Sequence, residues 1–112
     1  MANFKEHVRG VIASNMIKNY LLKKGYQVLE EDQSQGLVDL FAINYTTGES
    51  YLIDCKCLSR RATTTNGGTR GARVNRVLKP EQKDLAEKSG IPFILAYAEV
   101  DTGIVEIPKL AQ

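Results

Sequence analysis

Three charged side chains interrupt two apolar stretches of the chain, and their types could do chemistry together. Asp39 lies within Leu-Val-Asp-Leu-Phe-Ala-Ile, and Asp54 and Lys56 lie within Tyr-Leu-Ile-Asp-Cys-Lys. A charge inside an apolar strand costs free energy unless it is paired with an opposite charge, solvated in a cleft or bound to a metal ion. The three positions therefore indicate a site.

Both stretches predict β-strands, over residues 37–45 and 51–58, joined by a turn at Thr-Thr-Gly-Glu-Ser. Side chains alternate along a strand, so Asp54 and Lys56 share one face. A turn of even length centred between the second threonine and the glycine places Asp39 opposite Lys56, with Asp54 on the neighbouring diagonal. A turn of odd length places Asp39 opposite a cysteine instead. The convergence of two carboxylates and an ammonium group therefore depends on the turn.

Positive charge is concentrated after these strands. The net charge is only +2, yet no acid occurs between Cys55 and Pro80. Residues 59–75 predict a loop that is too long for a tight connection, and such loops are usually functional or disordered. Segregated cations indicate a polyanionic partner, with a solvated arginine-rich loop as the alternative. The cations are Lys56, Arg60, Arg61, Arg70, Arg73, Arg76 and Lys79.

Helices are predicted on either side of the strands in the sequence. Residues 4–24 place apolar side chains at helical spacing, and Gly25 is a natural terminator. Residues 79–90 begin near a proline, carry acids in the first turn and end at a glycine. Short strands are predicted over residues 26–30, 92–100 and 104–107. The order of helix, three strands, helix and two strands predicts one α/β domain over residues 1–112, with a central mixed sheet flanked by helices.

Composition excludes several classes of function. No apolar run approaches the roughly 18 residues of a membrane span, and no compact apolar segment resembles a signal peptide. The two cysteines, Cys55 and Cys57, are poorly placed for a disulfide, which favours a reducing, cytoplasmic compartment. With one histidine they are also too few for structural zinc, so core packing is expected of them. The absence of a P-loop motif argues against a nucleotide cofactor.

The chain resembles the PD-(D/E)xK nuclease superfamily in two short motifs on consecutive predicted strands that follow an amphipathic helix. The motifs are Val-Asp, which ends at Asp39, and Asp-Cys-Lys, which spans Asp54–Lys56. The likeness is closest to its small archaeal-type Holliday-junction resolvases and small phage or mobile-element nucleases, and it covers most of the chain. It implies a restriction-endonuclease-like core. It also implies a Mg²⁺- or Mn²⁺-dependent endonuclease that hydrolyses phosphodiester bonds in duplex or branched DNA.

The resemblance assigns roles to particular residues. Asp39, Asp54 and the backbone carbonyl of Cys55 would hold one or two metal ions, which prefer oxygen ligands. Lys56 would orient the attacking water or stabilise the transition state. Gln82, early in the second helix, would point back toward the site, with an exposed surface glutamine as the alternative. Sequence-independent phosphate contacts would come from Arg60, Arg61, Arg70, Arg73, Arg76 and Lys79. One site cuts two strands most simply in a homodimer.

The first helix departs from the family pattern. Junction-resolving relatives usually carry an acidic metal ligand there, and the matching position in this chain is Ser14. Serine is a weaker Mg²⁺ ligand than a carboxylate, although it could hold a water. His7 or Glu6 could substitute from another turn of the helix, while a surface role is the alternative for His7.

Three alternatives stay open. The charged triad could be a buried ion pair of Lys56 with either carboxylate and no metal, although such pairs are weak stabilisers. The chain could be a noncatalytic nucleic-acid-binding module that keeps the nuclease fold, which Ser14 would explain. It could also be a structural protein whose arginine loop docks an acidic partner. Salt-sensitive DNA binding without cleavage, or indifference to nucleic acid at low salt, would distinguish these alternatives.

Overall fold

The computed structural model describes residues 4–31, 36–58, 76–108 and 110. Within these ranges, two helices and five strands form an α/β fold with a mixed sheet flanked by helices, which confirms the predicted class. A restriction-endonuclease-like core remains a prediction. In chain order the elements are α1 (Phe4–Lys23), β1 (Tyr26–Glu30), β2 (Leu40–Asn44), β3 (Ser50–Cys57), α2 (Pro80–Ser89), β4 (Phe93–Glu99) and β5 (Ile104–Glu106).

The five strands lie in the sheet in their order along the chain, β1-β2-β3-β4-β5. β1, β2 and β3 form an antiparallel meander, and β5 pairs antiparallel with β4. β3 and β4 run parallel, which requires a long crossover, and α2 lies within that connection. The parallel register places Asp54 beside Leu95 and Lys56 beside Tyr97.

The hydrophobic core lies between α1 and one face of the sheet. Ala13, Ile17 and Leu21 recur every four residues along α1 and are almost fully buried. They join a cluster that includes Ile53 of β3 and Ile94 of β4. Alternation along β3 then directs Asp54 and Lys56 to the opposite face, where α2 contacts β4. No helix in the described ranges is both long and apolar enough to cross a membrane.

The β2–β3 turn begins one residue earlier than predicted. The Asn44 Oδ1 atom accepts hydrogen bonds from the N–H groups of Thr46 and Thr47, and Gly48, at a φ of 77°, donates its N–H to the Asn44 carbonyl. The loop is therefore residues 45–48, closed by a 2.7 Å bond from the Asn44 N–H to the Glu49 carbonyl. This loop has an even number of residues, as predicted, so each side chain stays on its predicted face of the sheet. The strand pairing is shifted by two residues from the predicted one.

The prediction that Asp39 lies opposite Lys56 was consequently wrong. Leu40 pairs with Ile53, two residues from the predicted register, and the Asp39 N–H also bonds the Ile53 carbonyl, so Asp39 lies outside the regular ladder. The cause is the Asn44 side chain, which fixes the start of the turn through local hydrogen bonds. The carboxyl groups of Asp39 and Asp54 are nevertheless adjacent, close enough to share a hydrogen bond.

Candidate functional site

Asp39 lies where β2 leaves the sheet. Its N–H donates to the carbonyl of Ile53 at 2.9 Å, although Leu40 is the residue paired with Ile53. The chain thus departs from the ladder in the manner of a β-bulge, a feature that re-aims side chains near functional sites. The Asp39 Oδ2 atom then accepts the N–H of Cys55 at 2.7 Å. At the end of β2, the Cys55 N–H of β3 is therefore bonded to a side-chain carboxylate instead of a backbone carbonyl of the neighbouring strand.

Asp54 is the buried member of the carboxylate pair. Only 8% of its surface is exposed, and its Oδ2 atom accepts a hydrogen bond from Gln82 Nε2 at 3.0 Å. The Lys56 Nζ atom lies 3.4 Å from the same oxygen. Asp54 and Lys56 therefore share one face of β3 as predicted, and the ammonium group pairs with Asp54 rather than with Asp39.

Gln82 connects three parts of the chain. It is the third residue of α2 and is 3% exposed. Besides Asp54, its Nε2 group donates to the carbonyl of Leu37 at 3.1 Å, and its Oε1 atom accepts the N–H of Lys79 at 2.9 Å. The last contact caps the start of the helix, as in one half of a capping box. The structure therefore places Gln82 at the carboxylates, as the resemblance implied, rather than on the surface.

The carboxyl groups of Asp39 and Asp54 affect each other's charge, and the pKa of Asp39 shows this effect. Partial burial, the largest cause, and the adjacent Asp54 carboxyl, through a hydrogen bond and charge repulsion, raise its pKa from 3.8 to about 6. The Cys55 N–H and the Lys56 charge act in the opposite direction. Asp39 thus gains a proton more readily than an ordinary aspartate, mainly because it is partly buried and also because a second carboxylate lies next to it.

The first-helix residues lie on the other side of the sheet. Ser14 hydrogen-bonds with the thiol of Cys55, and burial raises the pKa of that thiol to about 12. Cys55 projects toward α1, away from Asp54, so the structure does not bring Ser14 to the carboxylates. His7 and Glu6 are exposed near the start of α1.

Both thiols pack against the core, as the sequence predicted. The Cys57 Sγ atom lies 3.5 Å from the carbonyl of Arg9 on α1, and both cysteines are free. The high pKa of Cys55 makes its thiol a poor nucleophile.

Three of the predicted cations fall on described residues. Lys56 is in the site, Lys79 precedes α2, and Arg76 is exposed three residues before Lys79. Arg60, Arg61, Arg70 and Arg73 lie outside the described residues.

Tyr97 is a site neighbour that sequence reasoning missed. Its hydroxyl accepts the N–H of Arg76 at 3.0 Å, and its ring shares the face that carries Lys56. The available signal was a polar hydroxyl within the otherwise apolar run Phe-Ile-Leu-Ala-Tyr-Ala. Placing it beside Lys56 requires the parallel register of β3 with β4.

The donor set fits a metal ion with an incomplete protein shell. No group of three or more His, Cys, Asp or Glu side chains suited to metal occurs in the part of the chain that the structure describes. Asp39 and Asp54 nevertheless adjoin, and Mg²⁺ is commonly held by one or two carboxylates completed by water and substrate phosphate. The Cys55 carbonyl faces the same side of β3 as its N–H, which bonds Asp39, so it could add a third oxygen.

Comparison with known proteins provides no relative for this chain. No protein-family model, curated protein or solved structure matches it. The functional conclusion therefore rests on the chemistry of the site.

Proposed function

We propose that this protein is a metal-dependent endonuclease that hydrolyses DNA phosphodiester bonds, with a structure-selective activity like that of Holliday-junction resolvases. The observation that carries the proposal is the meeting of Asp39 and Asp54 where β2 and β3 separate, with Lys56 on the same face. Two adjacent carboxylates repel each other and favour a cation between them. A structural ion pair would need only one of them.

The site residues have distinct parts in this proposal. Asp39, Asp54 and the Cys55 carbonyl hold Mg²⁺ or Mn²⁺, which when bound acidifies water and offsets the negative charge that develops on the phosphate. Gln82 orients Asp54 through the 3.0 Å hydrogen bond and limits its rotation. Lys56 is partly exposed beside Asp54, so its ammonium group can reach both the carboxylate and a phosphate oxygen.

The proposed substrate contacts the protein mainly through its phosphates. Arg76 and Lys79 flank the start of α2 and can bind a DNA backbone without reading its sequence. A homodimer would present two sites to the two strands of a duplex or a junction. The two free thiols suit a reducing, cytoplasmic setting.

A cleavage assay tests the proposal. Labelled four-way junction, duplex and single-stranded DNA are incubated with the protein and Mg²⁺ or Mn²⁺, or with EDTA. We expect metal-dependent cutting that Asp54→Ala and Lys56→Ala abolish, while Asp54→Ala binds DNA as well as or better than wild type because it removes a negative charge. Lys88→Gln, at the far end of α2, is the matched control for loss of a cation. Cutting by Asp54→Ala at the wild-type rate would refute the site assignment.

A noncatalytic DNA-binding module is the second candidate function. It is favoured by one observation: Ser14 lies beside Cys55 on the α1 face, so α1 supplies no acidic ligand from the position used by the nucleases that the chain resembles. Salt-sensitive binding of DNA without cutting under any metal condition would establish this function in place of the nuclease.

A further inference from the structure

Residues 76–79 are anchored to the site face by two buried side chains. At one end the Arg76 N–H donates to the Tyr97 hydroxyl at 3.0 Å. At the other end the Lys79 N–H donates to Gln82 Oε1 at 2.9 Å, and Gln82 also bonds Asp54. Between these anchors the chain belongs to no helix or strand, and Val77 is 83% exposed. The anchors fix the backbone while the Arg76 and Lys79 side chains remain exposed.

Tyr97 has a central position on this face. It pairs with Lys56 of β3 on one side and with Glu106 of β5 on the other, and only 3% of its surface is exposed. A phenylalanine would supply the same buried ring. What the hydroxyl adds is an acceptor for a backbone N–H that lies outside any helix or sheet ladder, and buried tyrosines usually find such a partner.

We propose that Tyr97 is a positioning residue, whose hydroxyl holds Arg76 beside the carboxylates so that the guanidinium group binds a DNA phosphate next to the one being cut. This inference rests on the proposed function and deepens it. Lys56 and Tyr97 are neighbours on adjacent strands, about 5 Å apart, so the anchor lies within one side-chain length of the site. Arginine suits this task because its planar fork matches two phosphate oxygens.

The inference predicts that Tyr97→Phe acts through Arg76. DNA affinity is measured over a range of salt concentrations for Tyr97→Phe, Arg76→Gln and the double variant. We expect Arg76→Gln to weaken binding and to reduce the slope of log K against log salt by about one contact. Tyr97→Phe should weaken binding by about threefold to tenfold, the factor expected for one hydrogen bond. In the Arg76→Gln background, Tyr97→Phe should have no further effect on DNA affinity.

Matched controls separate positioning from general stability. Tyr51→Phe removes another hydroxyl hydrogen bond of the sheet, the one to Glu49 at 3.0 Å at the hairpin end of β3. Lys88→Gln removes a cation from the last turn of α2. Both should leave the affinity and the salt slope near wild type. Hydrogen exchange of the Arg76 amide provides a readout independent of DNA: it should be protected in wild type and lose protection in Tyr97→Phe.

Three outcomes would overturn the positioning role of Tyr97. Equal losses in the wild-type and Arg76→Gln backgrounds would show that Tyr97 acts independently of Arg76 and would overturn it. Wild-type affinity in Tyr97→Phe, alongside weak binding by Arg76→Gln, would also overturn it while leaving the proposed function standing. If wild type binds no DNA at low salt, the proposed function fails and this inference fails with it, whatever the Arg76 amide shows.

Discussion

At the scale of single residues, the site is defined by how each polar group is satisfied. The Asp54 carboxylate accepts a hydrogen bond from Gln82 and forms an ion pair with Lys56. The Asp39 carboxylate accepts a hydrogen bond from the Cys55 N–H and lies next to the Asp54 carboxyl. The described residues contain no buried side-chain nitrogen or oxygen without a hydrogen-bond partner. The unfavourable feature that remains is the repulsion between the two carboxyls, and it disappears when a cation or a proton joins them.

The raised pKa of Asp39 leads to the first prediction. In metal-free protein, its carboxyl carbon followed by NMR should titrate with a midpoint of about 6. Asp54→Asn should lower this midpoint but leave it above 3.8, because burial is the larger cause. A midpoint that Asp54→Asn leaves unchanged would contradict the proximity of the two carboxyls.

Stability should follow the same titration. Because the folded pKa of Asp39 exceeds its unfolded value, the contribution of this group is present in full below pH 3.8 and is lost as the pH rises through about 6. The free energy of unfolding of Asp39→Asn should therefore fall less than that of wild type between pH 4 and pH 7. Urea denaturation at both pH values measures the difference, and an equal or larger fall in the variant would count against it.

Gln82 provides a third prediction at this scale. Gln82→Ala should lower the free energy of unfolding by about 2 kcal/mol, because a buried polar group that loses its partner costs roughly 1–3 kcal/mol. The groups affected are Asp54, the Leu37 carbonyl and the Lys79 N–H. Gln27→Ala on β1 is the control, since Gln27 is exposed and its loss should cost less than about 0.5 kcal/mol. Equal losses of unfolding free energy for the two substitutions in urea denaturation would show that the hydrogen bonds of Gln82 do not stabilise the fold.

At the scale of elements, the strands and helices were largely readable from the sequence, and their pairing was less so. Alternation and helical spacing identified all seven elements to within about three residues. The hairpin register was missed because the Asn44 side chain starts the turn early, which no pattern of apolar residues reveals. β2 begins at Leu40 rather than residue 37, since Asp39 leaves the ladder inside an apolar run. Tyr97 was missed because its place beside Lys56 depends on a parallel pairing between distant strands.

The turn that sets the register gives a prediction at the scale of elements. Gly48→Ala should destabilise the protein by about 1 kcal/mol. At a φ of 77° the backbone is left-handed, and the new Cβ would lie too close to the following carbonyl oxygen. Gly10→Ala is the matched substitution: Gly10 lies within α1, no atom beyond its chain neighbours and the adjoining helix backbone lies within 4 Å of the added Cβ, and alanine favours helix. It should stabilise by about 0.4–1 kcal/mol. Thermal unfolding of both variants measures the opposite signs, and shifts of the same sign would contradict the backbone assignment.

At the scale of the whole molecule, the two faces of the sheet have separate tasks. The face under α1 holds the apolar core, including the fully buried Ile17, Leu21 and Ile53. The other face carries Asp54, Lys56 and Tyr97, and α2 reaches it through Gln82. Stability is thus concentrated on one side and the candidate chemistry on the other. The proposed catalytic polar groups therefore do not interrupt the main core.

The central claim, that Asp39 and Asp54 together hold a divalent metal ion, is tested most directly by paramagnetic broadening with Mn²⁺. Amide signals of the fully folded protein are recorded during a Mn²⁺ titration. We expect selective broadening of residues 38–40 and 53–56, lost in Asp39→Asn and Asp54→Asn and retained in Asp84→Asn, which removes an exposed carboxylate from α2. Broadening that is absent at these residues, or that survives both site substitutions, would contradict the metal site and the nuclease proposal built on it.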